Sequence, residues 1–92
     1  MDKQEIENKK KETQMLEEGF RKIAELRKQA LRVFHMARTL KLVGKGEHDL
    51  EAKIGEQQAF EISEFADREE IWWKSVEQKL KDQNEIEKDN EQ

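Results

Sequence analysis

Apolar side chains recur at intervals of three and four residues through the first half of the chain. The members of this series are Leu16, Ile23, Leu26, Ala30, Val33, Ala37 and Leu40. This spacing places them on one face of an α-helix, because a helix turns by about 100° per residue. Between Met1 and the series only Ile6 and Met15 are apolar, and after it come Gly44 and Gly46, whose backbones can take the left-handed conformation that closes a helix. The pattern predicts a helix over residues 13 to 43, after a frayed or exposed extension over residues 1 to 12.

A second apolar series follows these glycines. Asp49 is placed to accept hydrogen bonds from the first free amides of a helix that begins near Leu50, and Glu51 suits the positive end of the helix dipole. One face of this helix contains Leu50, Ile54, Ile62, Phe65, Trp72, Val76 and Leu80. We expect a turn over residues 44 to 49, a helix over 50 to 83 and a mobile acidic tail over 84 to 92. Because so short a turn reverses the chain, the predicted fold class is all-α, an antiparallel two-helix hairpin of the coiled-coil type.

The composition suggests that such a hairpin needs a partner. Apolar residues make up 34% of the chain and charged residues 43%, which suits long solvated helices better than a compact mixed core. A two-helix hairpin of this size seldom contains enough core to be stable by itself. We therefore expect two hairpins to dimerise into a four-helix assembly, or one hairpin to dock onto a foreign protein.

The candidate partner-binding residues are Phe60, Ile71 and Trp73, which lie off the predicted seam, together with the adjacent Trp72 of the seam face itself. Phe60 and Ile71 lie within about 20° of each other on a helical wheel, whereas the adjacent Trp72 and Trp73 cannot both point the same way. Exposed clusters of large apolar side chains usually mark interaction sites, and tryptophan is enriched at binding hot spots. Two interpretations remain open: these residues complete the core of a homodimer, or they bind a different protein.

Charge is unevenly distributed along the chain, although the net charge is only −4. Residues 1 to 19 contain 4 basic and 6 acidic side chains, residues 20 to 46 contain 8 and 1, and residues 47 to 92 contain 6 and 15, so the three blocks carry −2, +7 and −9. Clustered cations on one accessible face can bind phosphates. The possible nucleic-acid-binding residues are Arg21, Lys28 and Arg32, opposite the apolar face, and Arg38 in a second row beside them. The alternatives are a solvated face that the acidic second helix partly neutralises, and an acidic helix that imitates a phosphate backbone.

Residues that carry catalysis or hold a metal are hard to find in this sequence. Ser63 and Ser75 lack a G-x-S-x-G motif or an adjacent histidine, and His35 and His48 form neither an H-x-x-x-H nor an H-E-x-x-H pair. The absence of cysteine excludes disulfides and thiolate chemistry, and the N-terminus lacks the apolar segment of a signal peptide. We therefore expect that the protein is not an enzyme and that it binds no cofactor, metal or small-molecule substrate. We also expect it to have no membrane span and to be cytoplasmic.

The small size and the richness in Lys, Glu, Asn and Gln resemble in a general way the short accessory proteins of phages and low-GC bacteria, which often inhibit or adapt host machinery. The function expected is a non-catalytic protein-protein interaction module, of an inhibitor or adaptor type, that binds through its second helix. The alternatives are a nucleic-acid-binding protein that uses the basic face of the first helix, and a purely structural coiled coil.

Overall fold

Two long helices joined by a tight turn make up the computed structural model, which describes the backbone of residues 2 to 90 and the side chains of residues 2 to 85. Helix α1 spans Lys3–Val43 and helix α2 spans Asp49–Asn90, and α2 runs back along α1. Within these residues no strand is present. These observations confirm the predicted all-α helical hairpin, whereas dimerisation stays a prediction.

Both helices are longer than the apolar pattern predicted. Helix α1 begins at Lys3 instead of residue 13, because Asp2 caps it by accepting a hydrogen bond from the backbone N–H of Gln4 at 3.4 Å, with Glu5 in the first turn. A cap and good helix-forming residues support a helix even where no apolar face exists, although the side chains of residues 2 to 10 are exposed. Helix α2 continues past residue 83 to Asn90, and residues 91 and 92 of the predicted mobile tail lie outside the described residues.

The turn closes differently from the expectation. Gly44 keeps a right-handed helical backbone, and the left-handed conformation falls on Lys45 and Gly46, with φ of 49° and 91°. Asp49 is the first residue of α2 and not its cap, since the backbone N–H of Ala52 already donates to the carbonyl oxygen of His48 at 2.9 Å. Two consecutive left-handed residues therefore reverse the chain within residues 44 to 48.

Small residues form the seam between the helices. Its buried members repeat every seven residues along each helix, as in a coiled coil, and are Ile23, Ala30 and Ala37 of α1 and Ala52, Ala59 and Ala66 of α2. The predicted α1 face is confirmed, because its remaining members are half-buried. The predicted α2 face is wrong in four of its seven members, since Leu50, Ile54, Phe65 and Trp72 are exposed. The alanines occupy the seam instead, because their small side chains let the two backbones approach closely.

Close approach of the helices is visible at two glycines. A Cβ atom on Gly55 would lie 2.9 Å from the Cβ of Ala37, and one on Gly19 would overlap the indole ring of Trp73. The two residue numbers in each pair add up to 92, which defines the register of the antiparallel helices.

The hairpin is a single layer of two helices. Its Cα atoms extend over 70 × 19 × 11 Å. Its radius of gyration is 20.7 Å, whereas a compact chain of this length would have about 12 Å. Both broad faces of the layer are therefore open to solvent. Over the described residues, neither helix contains a stretch apolar enough to cross a bilayer.

Candidate protein-binding site

An open groove with a volume of about 680 Å³ lies between the helices on one face of the hairpin. We call it the Trp72 groove, and its lining residues are Gly19, Lys22, Ile23, Glu25, Leu26 and Gln29 of α1 and Phe65, Glu69, Trp72 and Trp73 of α2. Apolar and aromatic surface predominates, with charged groups on the margins. Such a mixture suits an apolar ligand surface that carries polar groups at its edges.

The two tryptophans and Gly19 give the groove its shape. Because Gly19 has no side chain, the half-buried indole of Trp73 packs directly against the α1 backbone. Trp72 stands beside it with the two rings edge to face, their centroids 4.8 Å apart at 86°. Phe65 lies seven residues before Trp72 and therefore on the same side of α2. Trp73 thus forms the base of the groove, and Trp72, which is 57% exposed, forms part of its wall.

The four predicted partner-binding residues do not form one surface. Trp72 and Trp73 both line the groove, whereas Phe60 and Ile71 lie on the outer side of α2, where they are 57% and 71% exposed. Sequence reasoning missed Phe65 as a groove residue because it was assigned to the seam. Phe65 can be identified from the seven-residue repeat of the seam. Phe65 directly precedes Ala66, as Trp72 directly precedes Trp73, so both lie on the same side of the seam.

The opposite edge of the seam is closed by an ion-pair network. Arg27 of α1 donates hydrogen bonds to the carboxylates of Glu70 at 2.9 Å and Asp67 at 3.2 Å, and Glu70 also accepts one from Lys74 at 3.4 Å. The hydrogen bond from Arg27 is the main reason why the pKa of Glu70 lies below its ordinary value. We call these residues the Arg27 edge, and they tie the helices together on the side away from the groove.

Replacing Arg27 by Gln should raise the pKa of Glu70 toward its ordinary value. A lowered pKa in the folded state contributes stability that is present above the unfolded pKa and is lost as the pH falls through the folded one. The variant should therefore lose less stability than the wild type on acidification below about pH 4.5, the usual range of a glutamate. Carboxyl NMR titration checks the pKa, and Arg21→Gln, a change at an exposed cation outside the network, serves as the control. An unchanged Glu70 pKa in Arg27→Gln would contradict the assignment.

The possible nucleic-acid-binding residues are all exposed, and the structure separates them by environment. Arg21, Lys28 and Arg32 project from α1 into solvent, while the guanidinium of Arg38 lies 5.7 Å from the ring centroid of Phe34. Among the described side chains of the basic block over residues 20 to 46, ion pairing to α2 occurs only at Arg27. Neutralisation by the acidic helix is therefore local to that arginine, and the other cations stay accessible.

In the described part of the chain, no group of three or more His, Asp or Glu side chains is arranged to hold a metal ion. Comparisons with protein-family models, curated proteins and solved structures found no match. The geometry of the chain itself is therefore the basis for a functional proposal.

Proposed function

We propose that this chain is a non-catalytic protein-protein interaction module that binds its partner through the Trp72 groove. The observation that supports the proposal is the exposure of two large aromatic side chains, Phe65 at 45% and Trp72 at 57%, beside an open apolar groove. Large exposed apolar clusters are costly in water and usually mark interaction sites. An adaptor or inhibitor needs only such a surface, because its effect comes from what it covers or recruits.

The shape of the groove favours an elongated apolar ligand. It runs between the two antiparallel helices, and its charged margin includes Lys22 and Glu25 on α1 and Glu69 on α2. An amphipathic helix fits such a site by laying its apolar stripe into the groove, with its polar flanks at the margins. Trp72 would be the anchor of this contact, since tryptophan buries the largest surface and is the residue most enriched at hot spots.

Substituting Trp72 by Ala tests the proposal. The tagged full chain is used for quantitative affinity capture from the cells in which it occurs, with bound proteins measured by mass spectrometry. Loss of a hot-spot tryptophan should weaken capture of the partner by about 30-fold or more, equivalent to about 2 kcal/mol. Leu42→Ala is the matched control, because Leu42 is 79% exposed but does not line the groove. Capture that is equally strong with Trp72→Ala and wild type would remove the basis of the proposal.

A second candidate function is nucleic-acid binding by the basic face of α1. It is favoured by the accessibility of Arg21, Lys28 and Arg32, none of which is engaged by an acidic residue among the described side chains. Titration of DNA and RNA at increasing salt separates this function from the first. Each cation that contacts a phosphate should reduce the slope of log K against log salt by about 1 when it is replaced by Ala. Absence of binding at low salt, or binding that salt does not weaken, excludes this candidate.

A further inference from the structure

We propose that the occupant of the Trp72 groove is a second copy of this chain. The two hairpins stack face to face with their turns at the same end, so that α1 of each copy lies along α2 of the other. This inference rests on the proposed function, because it names the partner of the same groove.

The exposed area of the single chain is larger than that of a compact protein. Its accessible surface is 7928 Å², whereas a folded monomer of 11.0 kDa exposes about 5,600 Å². A stable interface removes about 600 to 1,000 Å² from each partner. One face of the hairpin therefore carries enough surplus surface to form a dimer.

The groove side is the better of the two faces for this contact. Met36 lies seven residues after Gln29, which lines the groove, so it extends the same side of α1 toward the turn and is 71% exposed. Together with Phe65 and Trp72 it makes an apolar strip over both helices. The other edge of the seam instead contains the ion pairs of Arg27, which would have to lose water on burial.

The charge blocks favour one of the two possible ways of stacking. Residues 20 to 46, in α1 and the turn, carry +7, whereas residues 47 to 92, mainly α2, carry −9. A two-fold axis parallel to the helices sets each α1 against the α2 of the other copy, which brings opposite charges together. An axis perpendicular to the helices would set α1 against α1 and α2 against α2, where like charges repel.

Individual residues on the groove side match this arrangement. Glu25 and Arg32 form one row of α1, and Glu61 and Arg68 form one row of α2, flanking Phe65 by four and three residues. All four side chains are exposed, and none belongs to an ion pair within the described part of the chain.

Their register is complementary between copies. Residues at equal height on α1 and α2 have numbers that add up to about 92, as for Gly19 and Trp73. Arg32 therefore lies at the height of Glu61 of the partner subunit, and Glu25 lies at the height of Arg68 of the partner subunit, each pair adding up to 93. Both pairs join opposite charges.

Charge reversal in the full chain tests the arrangement. Sedimentation velocity should show a dimer for the wild type, and Arg32→Glu or Glu61→Arg alone should each weaken association about tenfold, because each homodimer then contains two like-charged pairs. An equimolar mixture of the two variants should recover association as a heterodimer, in which both pairs are again opposite in sign. Native mass spectrometry distinguishes the heterodimer from the homodimers.

Controls separate this inference from the proposed function. Arg21→Glu makes the same charge change outside the groove side and should leave the dimer intact, whereas Trp72→Ala should weaken it by about 30-fold. A wild type that stays monomeric, or a mixture without preference for the heterodimer, would overturn the inference. In either case a Trp72-dependent capture of a different protein would still support the proposed function, which fails only when that capture is also insensitive to Trp72.

Discussion

Gly19→Ala is expected to lower the thermal stability of the hairpin, although alanine is favoured over glycine inside a helix by about 1 kcal/mol. A Cβ atom at this position would overlap the indole of Trp73. The ring has little freedom to move, because Trp72 packs edge to face against it at 4.8 Å. Overpacking of this kind costs about 1 to 3 kcal/mol. The net loss should lower the Tm by about 5 to 10 °C in thermal unfolding followed by circular dichroism.

The sign of this effect should reverse when Trp73 is made smaller. In a Trp73→Leu background the obstacle is reduced and flexible, so that Gly19→Ala keeps mainly its benefit for helix formation and should raise the Tm. The coupling between the two positions is expected to be about 2 kcal/mol in a double-mutant cycle. Gly19→Ala that stabilises both backgrounds equally would show that Trp73 does not pack over Gly19.

The contrast between the two helices explains how far the sequence alone predicts this fold. In α1 one series at intervals of three and four contains large apolar residues, such as Leu26 and Val33, together with the buried alanines Ala30 and Ala37, so this series predicts the correct face. In α2 they form two series. The large residues, including Ile54 and Phe65, define one face and the alanines, including Ala59 and Ala66, define another. The size of the side chains predicts that the first face packs against α1. In the structure the second face does so, because the two backbones approach closely and only small side chains fit between them.

The candidate site could be predicted only in part for a related reason. The observation that Trp72 and Trp73 cannot point the same way is local, and it correctly predicts that only one of them packs in the seam. The assignment itself was reversed, because Trp72 was placed on the seam face but is exposed, whereas Trp73 packs against Gly19. The groove itself depends on Gly19, which lies 54 positions from Trp73 along the chain. The contact between Gly19 and Trp73 follows only from the register of the two helices. That register depends on the seven-residue repeat of buried alanines, which a prediction based on large apolar residues does not use. The same register decides that Arg27, among eight cations of the basic block, meets the acidic helix.

Ala66→Leu should destabilise the hairpin strongly, because the seam at this position has no room for a larger side chain. Ala66 is 0% exposed, and seven residues on along the same row of α2 lies Trp73. Leucine would force the helices apart, at a cost of about 1 to 3 kcal/mol and a fall in Tm of about 5 to 20 °C. Tryptophan emission should shift to longer wavelength as Trp73 loses its contact with the α1 backbone. Ala24→Leu makes the same change at an exposed position of α1 and should leave both signals nearly unchanged. If Ala66→Leu retained wild-type stability and emission, the seam would have to be wide enough for leucine. That result would contradict the close packing of the two helices that creates the Trp72 groove.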